Sequence, residues 1–415
     1  MALPNGVANR HLIRRINQAV ILRLVRELAP VSRTDLVDAA SLSPATVSDI
    51  TAELLRDGMI RERETGRSTG GRRPILLTID PDAGLAIGAK LTEHRLVTVV
   101  TDFEGTVVEQ DDLPLGGRTP DAVVAAIGNY ADAVAARHPS RHLFGLGLGL
   151  AGAIDREDGL CRFSPFLRWR DVPLRDLLET RIRRPVVIEN DVGTLTIAER
   201  WFGAGVGERD FLVVTLGRGV GLGMILHGRP YRGAGGQGGE FGHITVARDG
   251  PPCECGKRGC LEAIAGDGAI VRAASAALGR DVTLAAAADA ARGGHPGVRA
   301  VFDEAGDALG TALATLVNLL NPTLLIVSGE GAEVLDLLDA PMRAALARDG
   351  FDRLTTDLRL TVDPWGDEAW ARGAAGLLLE DLLTPRAASR SPGLRGRLER
   401  DLVAGGSTGS DTSVW

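Results

Sequence analysis

Residues 242–262 read GHITVARDGPPCECGKRGCLE. His243 stands upstream of Cys253, Cys255 and Cys260, a Cys-x-Cys-x4-Cys arrangement joined by one imidazole. Four such ligands leave no open coordination position, which suits a tetrahedral structural Zn2+ rather than a catalytic one. The loop is rich in Gly and Pro and poor in apolar side chains, so bound metal would supply folding free energy that burial cannot. The bland alternative is an accidental cysteine cluster in a flexible loop. The upstream histidine and the flanking glycines argue against it, and a disulfide framework does not suit a reducing compartment. The fourth cysteine, Cys161, stands alone and reads as a small core residue.

Outward from this loop the texture is mixed. Strand-like runs (LAIGAKL, LVTVVTDF, GTVVEQDDL) lead into the helical DAVVAAIGNYADAVAAR, then LFGLGLGLAGAID, the strand PVVIEND, a helix through Ala198, and the strand FLVVTLGRG. This alternation predicts an α/β architecture of sheets covered by helices. Cys161 and the metal loop both fall inside it.

The first 80 residues differ. Ile13, Ile16, Val20, Leu24 and Leu28 recur at three- and four-residue steps, the stripe of an amphipathic helix closed by Ala29-Pro30. Ser32 is a plausible N-cap for a short second helix, Arg33 to Ala40, with Leu36 and Val37 inward. Ser43 caps a third, with Pro44 at the first helical position, where a missing N–H has no intrahelical partner. That helix buries Val47, Ile50, Leu54 and Leu55 and exposes Ala45, Thr46, Ser48 and Asp49, short side chains suited to base edges and phosphates in a major groove. Two strands, from Met59 and from PILLTID, flank the basic tract ETGRSTGGRRP. They make a wing whose Arg67, Arg72 and Arg73 can reach phosphates or a minor groove. A three-helix scaffold with solvated arginines is the structural alternative.

Charge follows the same division. The chain of 415 residues has a net charge of −7, yet residues 1–80 hold 12 Arg against 9 acidic residues, and the other 335 hold 35 basic against 45 acidic. A mildly basic head on an acidic body excludes a protein that coats nucleic acid along its length. With 44% hydrophobic residues a sizeable core is available, while no apolar run approaches the roughly 18 residues of a membrane span. The N-terminus lacks a signal peptide's apolar core, so a cytoplasmic protein without a membrane partner is expected. The closing stretch, residues 386–415, is rich in Arg, Ser and Gly and reads as a disordered tail.

The pattern SRTDLVDAASLSPATVSDITAELLRDGMIRE, followed by GGRRP, resembles the winged helix-turn-helix heads of bacterial sugar regulators. Gly-Gly-Glu-Phe-Gly-His at 238–243, with Cys253, Cys255, Cys260 and Glu262, resembles the metal and sugar signature of the ROK family, named for repressors, open reading frames and kinases. Glu189-Asn190-Asp191 resembles its sugar-binding segment, and TLGRGVGLGMILHGRPYRGAGGQGGE at 215–240 its second phosphate loop and the turn after it. The resemblance extends to about residue 385. It implies a head over 1–80 and a two-lobed actin/hexokinase-like (ribonuclease H-like) sensor over 81–385. Lobe one would take about 81–190 plus a C-terminal helix at about 370–385, and lobe two about 191–369.

A hexose presents a ring of hydroxyls, which carboxylates and amides bind several at a time. By the resemblance, Asn190 and Asp191 bind hydroxyls at one end of the sugar and Glu240 and Glu262 others, while Gly152 lets backbone approach the ring. His243 would place one nitrogen on zinc and offer the other to a hydroxyl. For Asp191 alone, a helix N-cap is the structural reading.

In kinase members the residue matching Asp191 is a base, and glycine-rich loops hold ATP. By the resemblance, the family's first phosphate loop, Asp-x-Gly-Gly-Thr, falls on Ala86-Ile87-Gly88-Ala89-Lys90, and its later nucleotide motif on Ile326-Val327-Ser328-Gly329-Glu330. Both lack the required groups, and phosphoryl transfer rests on positioning and electrostatics. The expectation is therefore a regulator without catalysis, binding double-stranded operator DNA as a homodimer or dimer of dimers and answering to a sugar or sugar phosphate. An active ATP-dependent sugar kinase with an added head is the alternative.

Overall fold

In the computed structural model, which describes residues 10–65, 74–363 and 365–382, two serines set where the helices of the head begin. The head runs α1 (Arg10–Leu28), β1 (Val31–Ser32), α2 (Arg33–Ala40), α3 (Pro44–Arg56), β2 (Ile60–Thr65) and β3 (Ile75–Ile79). The Ser32 hydroxyl accepts from the Asp35 amide and the Asp35 carboxylate accepts from the Ser32 amide, a reciprocal capping box. Ser43 accepts from the Thr46 amide with Pro44 in the first turn. Gly58, at φ 66°, releases the chain from α3 into the wing. The sheet order is β1-β3-β2, so Val31–Ser32 adds a strand that the sequence did not announce. Arg67, Arg72 and Arg73 lie outside the described residues, as does the segment 386–415.

The buried face of α1 differs from the stripe read off its periodicity. Ile21, Leu22 and Val25 are buried, whereas Ile13 and Leu28 are each 46% exposed. The helix serves two neighbours, the head's own core and the body, so its apolar positions do not fall on one line.

The body continues with β4 (Leu85–Leu91), β5 (Arg95–Asp102), β6 (Val107–Pro114), α4 (Pro120–Arg137), β7 (Leu143–Leu150), β8 (Ala153–Asp155), β9 (Leu160–Ser164), β10 (Trp169–Val172), α5 (Leu174–Ile182), β11 (Val186–Asn190) and α6 (Asp191–Phe202). Then come β12 (Phe211–Leu216), β13 (Val220–Leu226), β14 (Arg229–Pro230), α7 (Glu262–Ala265), α8 (Asp267–Leu278), α9 (Leu284–Arg292), α10 (Pro296–Leu320), β15 (Leu324–Ser328), α11 (Leu335–Asp349), β16 (Arg359–Val362) and α12 (Asp367–Leu382). Two five-stranded sheets result, ordered β11-β7-β4-β5-β6 and β14-β13-β12-β15-β16, with a small sheet β10-β9-β8 beside the first. In each, antiparallel hairpins are extended by parallel strands, the two-lobed actin/hexokinase-like plan.

Glycines let α12 lie directly on the first sheet. A Cβ on Gly147 would come within 1.8 Å of the Ala374 carbonyl, and one on Gly88 within 1.9 Å of the Ala371 carbonyl. The helix α6 is wedged as closely: Gly373 of α12 meets its Thr194 carbonyl, and Gly223 of β13 meets its Thr196 hydroxyl. Leu195 and Ala198 of α6, Phe211, Ile225 and Ile326 of the second sheet, and Trp370 of α12 form one core. Another joins Ile21, Val25 and Leu54 of the head to Phe103, Phe144, Ile197 and Leu378. Among the described residues no helix is long and apolar enough to cross a membrane.

Candidate functional site

The metal-ligand residues converge because the loop between Ile244 and Leu261 folds back on itself. Isolated bridges pair Thr245 with Cys260 and Pro252 with Arg258, and the Cys253 amide donates to the Lys257 carbonyl at 2.8 Å. Gly259, at φ 67°, passes so near the Ala247 carbonyl that a Cβ there would lie 1.5 Å away. The ligand atoms of His243, Cys253, Cys255 and Cys260 all fall within 4.8 Å of one another. His243 Nδ1 is 3.6 Å from Cys253 Sγ, and Cys255 Sγ is 3.7 Å from Cys260 Sγ. Metal–sulfur bonds of about 2.3 Å put the edge of such a tetrahedron near 3.8 Å. The four residues therefore fit a tetrahedral ion.

Beside them lies a cavity lined by Gly152, Asn190, Glu240, Glu189, Tyr231 and Arg232, among others. Asn190 is placed by two bonds: its Oδ1 caps α6 at the Val192 amide, and its Nδ2 donates to the Gly152 carbonyl, each at 2.9 Å. An amide has two hydrogens and two acceptor directions, so capacity for a ligand remains. Gly152, at φ 131°, is required also by its own hairpin, since a Cβ would meet the Phe163 carbonyl at 2.2 Å. Asn190 is the N-cap of α6 and Asp191 its first helical residue, with Oδ1 2.9 Å from the Val192 amide. Asp191 is not among the residues lining the cavity.

His243 and Glu262 stand together at the other side, Nδ1 to Oε1 4.0 Å. Glu262 Oε2 accepts from the Val220 amide at 3.2 Å, and Val220 lines the cavity. Gly152, Asn190 and Glu240 thus share the cavity, while His243 and Glu262 adjoin it through β13. Two further polar residues line the wall, Glu189 from the segment matched to the sugar site and Arg232, which the sequence did not single out. Glu189 is 3% exposed and accepts from Arg232 at 2.6 Å, with Arg156 at 3.5 Å. Their signal was an acid one residue before Asn190 and a cation inside the glycine-rich stretch.

The structure does not place the expected first phosphate loop at Ala86–Lys90. Ala86 to Lys90 do not form a loop; they lie in mid-strand, every residue of β4 being buried. The hairpin turn is Thr92-Glu93-His94, where the Thr92 amide donates to the Arg95 carbonyl at 3.0 Å. With the two glycines of Asp-x-Gly-Gly-Thr placed in that turn, Lys90 falls on the acid and Glu93 on the second glycine. Lys90 Nζ is 2.6 Å from Asp367 Oδ1 and 4.0 Å from the centre of the Trp370 ring. A periodicity reading slides along a uniformly buried strand, and the turn alone fixes its register. Gly329, in the later segment, is held at φ 112° against Leu216; the Glu330 side chain lies outside the described residues.

Glu93 also bridges the two sheets' turns. Arg218, in the turn between β12 and β13, donates to Glu93 at 3.1 Å and stacks on Phe166 at 3.8 Å, while Arg118 pairs with the same carboxylate. The Arg218 hydrogen bond is the main reason that the Glu93 carboxyl titrates below its ordinary range. Behind α6, burial and the neighbouring Asp363 push Glu199 up to about 7; its carboxyl accepts from Trp365 Nε1 at 2.9 Å and from the Ala204 amide at 3.0 Å.

On the head, Ser43, Ala45, Ser48 and Asp49 are exposed along the start of α3, and Thr46 is half-buried, its hydroxyl 2.8 Å from that of Ser43.

Known proteins align with nearly the whole chain. A xylose repressor from Caldicellulosiruptor bescii is 27% identical over 394 residues, covering 91% of this chain and 99% of the relative. The DNA-binding transcriptional dual regulator NagC of Escherichia coli is 30% identical over 371 residues, covering 86% and 91%. Among solved structures, a ROK family transcriptional regulator, a homologue of the E. coli Mlc protein, superposes with a TM-score of 0.80 at 23% identity, covering 95% of this chain and all of that one. A Streptomyces griseus ROK glucokinase, in complex with glucose and AMPPNP, matches 71% of the chain and 99% of its own at 32% identity and TM-score 0.59. The ROK family model matches residues 84–381, and with that span and these relatives the chain belongs to the ROK family.

Proposed function

We propose that this chain is a sugar-responsive DNA-binding repressor of carbohydrate uptake or metabolism genes, as its curated relatives are named for xylose and for N-acetylglucosamine. Residues 1–80 are the DNA-binding domain and 81–385 the sensor. Ser43, Ala45, Thr46, Ser48 and Asp49 face the operator's major groove, and Arg67, Arg72 and Arg73 its backbone. Two heads of a dimer, alone or in a dimer of dimers, read a pseudo-palindromic site. The effector, a small sugar or sugar phosphate, occupies the cavity and engages Gly152, Asn190 and Glu240, with Asp191, His243 and Glu262 at its border. His243, Cys253, Cys255 and Cys260 hold one structural Zn2+, which fixes the imbalance of a glycine-rich loop and orients the His243 ring beside Glu262.

The observation that carries this reading is the shared core of head and sensor. Ile21 and Val25 of α1 belong to the same core cluster as Ile197 of α6, and α6 begins at the cavity. A ligand shifts the head only through its different affinity for the cavity's two forms. The protein turns over no ATP on this reading, because the two turns that would face phosphates carry Glu93 and Arg218, bound to each other. The kinase alternative has the glucokinase likeness in its favour.

Fluorescence anisotropy on DNA from upstream of its own gene, at fixed salt with a panel of free and phosphorylated sugars, tests the proposal. Tight binding shifted by one sugar, and no longer shifted in Asn190→Ala, is the expected result. Sugar-dependent ATP hydrolysis with no effect of any sugar on DNA would favour the kinase instead.

A further inference from the structure

We propose that the turn Phe103-Glu104-Gly105 is the junction through which α6 passes the state of the sugar cavity to the DNA-binding head, an inference that rests on the regulatory reading above. Val192, Gly193 and Thr196 of α6 line the cavity at one end of the helix. The other end, about 14 Å from Val192 along the helix, carries the adjacent aromatics Trp201 and Phe202.

Each of those rings supports one arginine. The guanidinium of Arg26, from α1 of the head, lies 3.6 Å over Trp201 and donates to the Phe103 carbonyl at 3.2 Å and the Glu104 carbonyl at 3.0 Å. The guanidinium of Arg372, from α12, lies 3.6 Å over Phe202 and donates to the Gly105 carbonyl at 3.0 Å. Three consecutive carbonyls thus accept from two guanidiniums, each stacked on α6. Gly105, at φ 89°, is pressed against Phe202; a Cβ there would lie 2.7 Å from the ring.

The arrangement is stiff and directional. Burial lowers the pKa of Arg26 to about 10, so the guanidinium is held partly desolvated by a ring face and two carbonyls, contacts that weaken quickly when displaced. The continuous backbone hydrogen-bond ladder makes the 12 residues of α6 one rigid rod. A tilt or slide of α6 at the cavity therefore has to appear at Trp201. Arg26 follows on α1, together with Val25 and Ile21 in the head's core. Arg372, being tied to the same turn, keeps lobe one as the fixed reference.

Hydrogen exchange on the full-length protein, with and without D-xylose or N-acetyl-D-glucosamine, tests this in wild type, Arg26→Met and Trp201→Leu. Calorimetry on the same samples reports sugar binding separately. In wild type the sugar that binds changes exchange of α1 and α3 amides by about fivefold or more. In both variants sugar binds as before and the change is confined to the body. Head amides that respond in both variants as in wild type would overturn the proposal. A head that responds through Arg26 while DNA affinity stays constant would uphold the junction and sink the repressor reading instead.

Discussion

Glu199 shows how one residue's surroundings set a measurable property. Its carboxyl titrates near 7 in the folded protein rather than at the ordinary 4.5, so the native state keeps a proton that the unfolded chain has released. The stability this contributes is complete below about 4.5 and is lost as pH rises through about 7. Urea unfolding of Glu199→Gln should give a smaller decline in stability across that window than wild type. The variant should also be less stable by about 1 kcal/mol at low pH, because the amide cannot accept from both Trp365 and Ala204. An unchanged slope would mean that another group controls the titration. Gly147 makes the complementary steric case. Its missing Cβ leaves room for a backbone carbonyl rather than a flexible side chain, so Gly147→Ala should cost about 3 kcal/mol, read as a lowered thermal midpoint.

At the scale of the element, the loop between Ile244 and Leu261 has few apolar side chains to hold it, so a metal on His243, Cys253, Cys255 and Cys260 would supply much of its order. Elemental analysis should find one zinc per chain. Removing it with a chelator should raise proteolysis between residues 245 and 260, with Zn2+ restoring protection and Mg2+ failing to, since thiolates favour the softer ion. Equal protease resistance before and after chelation would show that the bridges at Thr245 and Pro252 suffice. The loop's reach is wider than its length, because Glu262 directly after it anchors Val220 and with it the turn bearing Arg218. Loss of metal should therefore weaken sugar binding as well.

For the whole molecule, Arg218 and Glu93 link the two sheets across 125 positions of sequence. Both are solvent-accessible, so the pair is a weak latch rather than a lock. A neutral sugar has no charge of its own to be screened, and salt dependence of its binding would report the latch. Raising salt from about 0.05 to about 0.5 M should weaken binding by about threefold in wild type. The effect should vanish in Arg218→Gln and in Glu93→Gln, and the double variant should lose no more than either alone. Salt-independent binding in wild type would place the latch outside the response.

What the sequence by itself determined was local: the caps at Ser32 and Ser43, the strand–helix alternation and the grouping of His243 with Cys253, Cys255 and Cys260. Each is set by neighbours within about twenty residues, where hydrogen-bond geometry and ligand spacing act without the rest of the fold. Contacts between distant segments were decided only by tertiary structure. The register of the β4–β5 hairpin was invisible in a strand buried on both faces, where no alternation marks a side. Arg26 meets Trp201 and the carbonyls of Phe103 and Glu104 across more than 70 positions of sequence, contacts that nothing near it in the chain announces. Glu189 and Arg232 became one cavity wall in the same way, across 43 positions of sequence. A side chain's chemistry is written in its own letter, but its partners are chosen by packing.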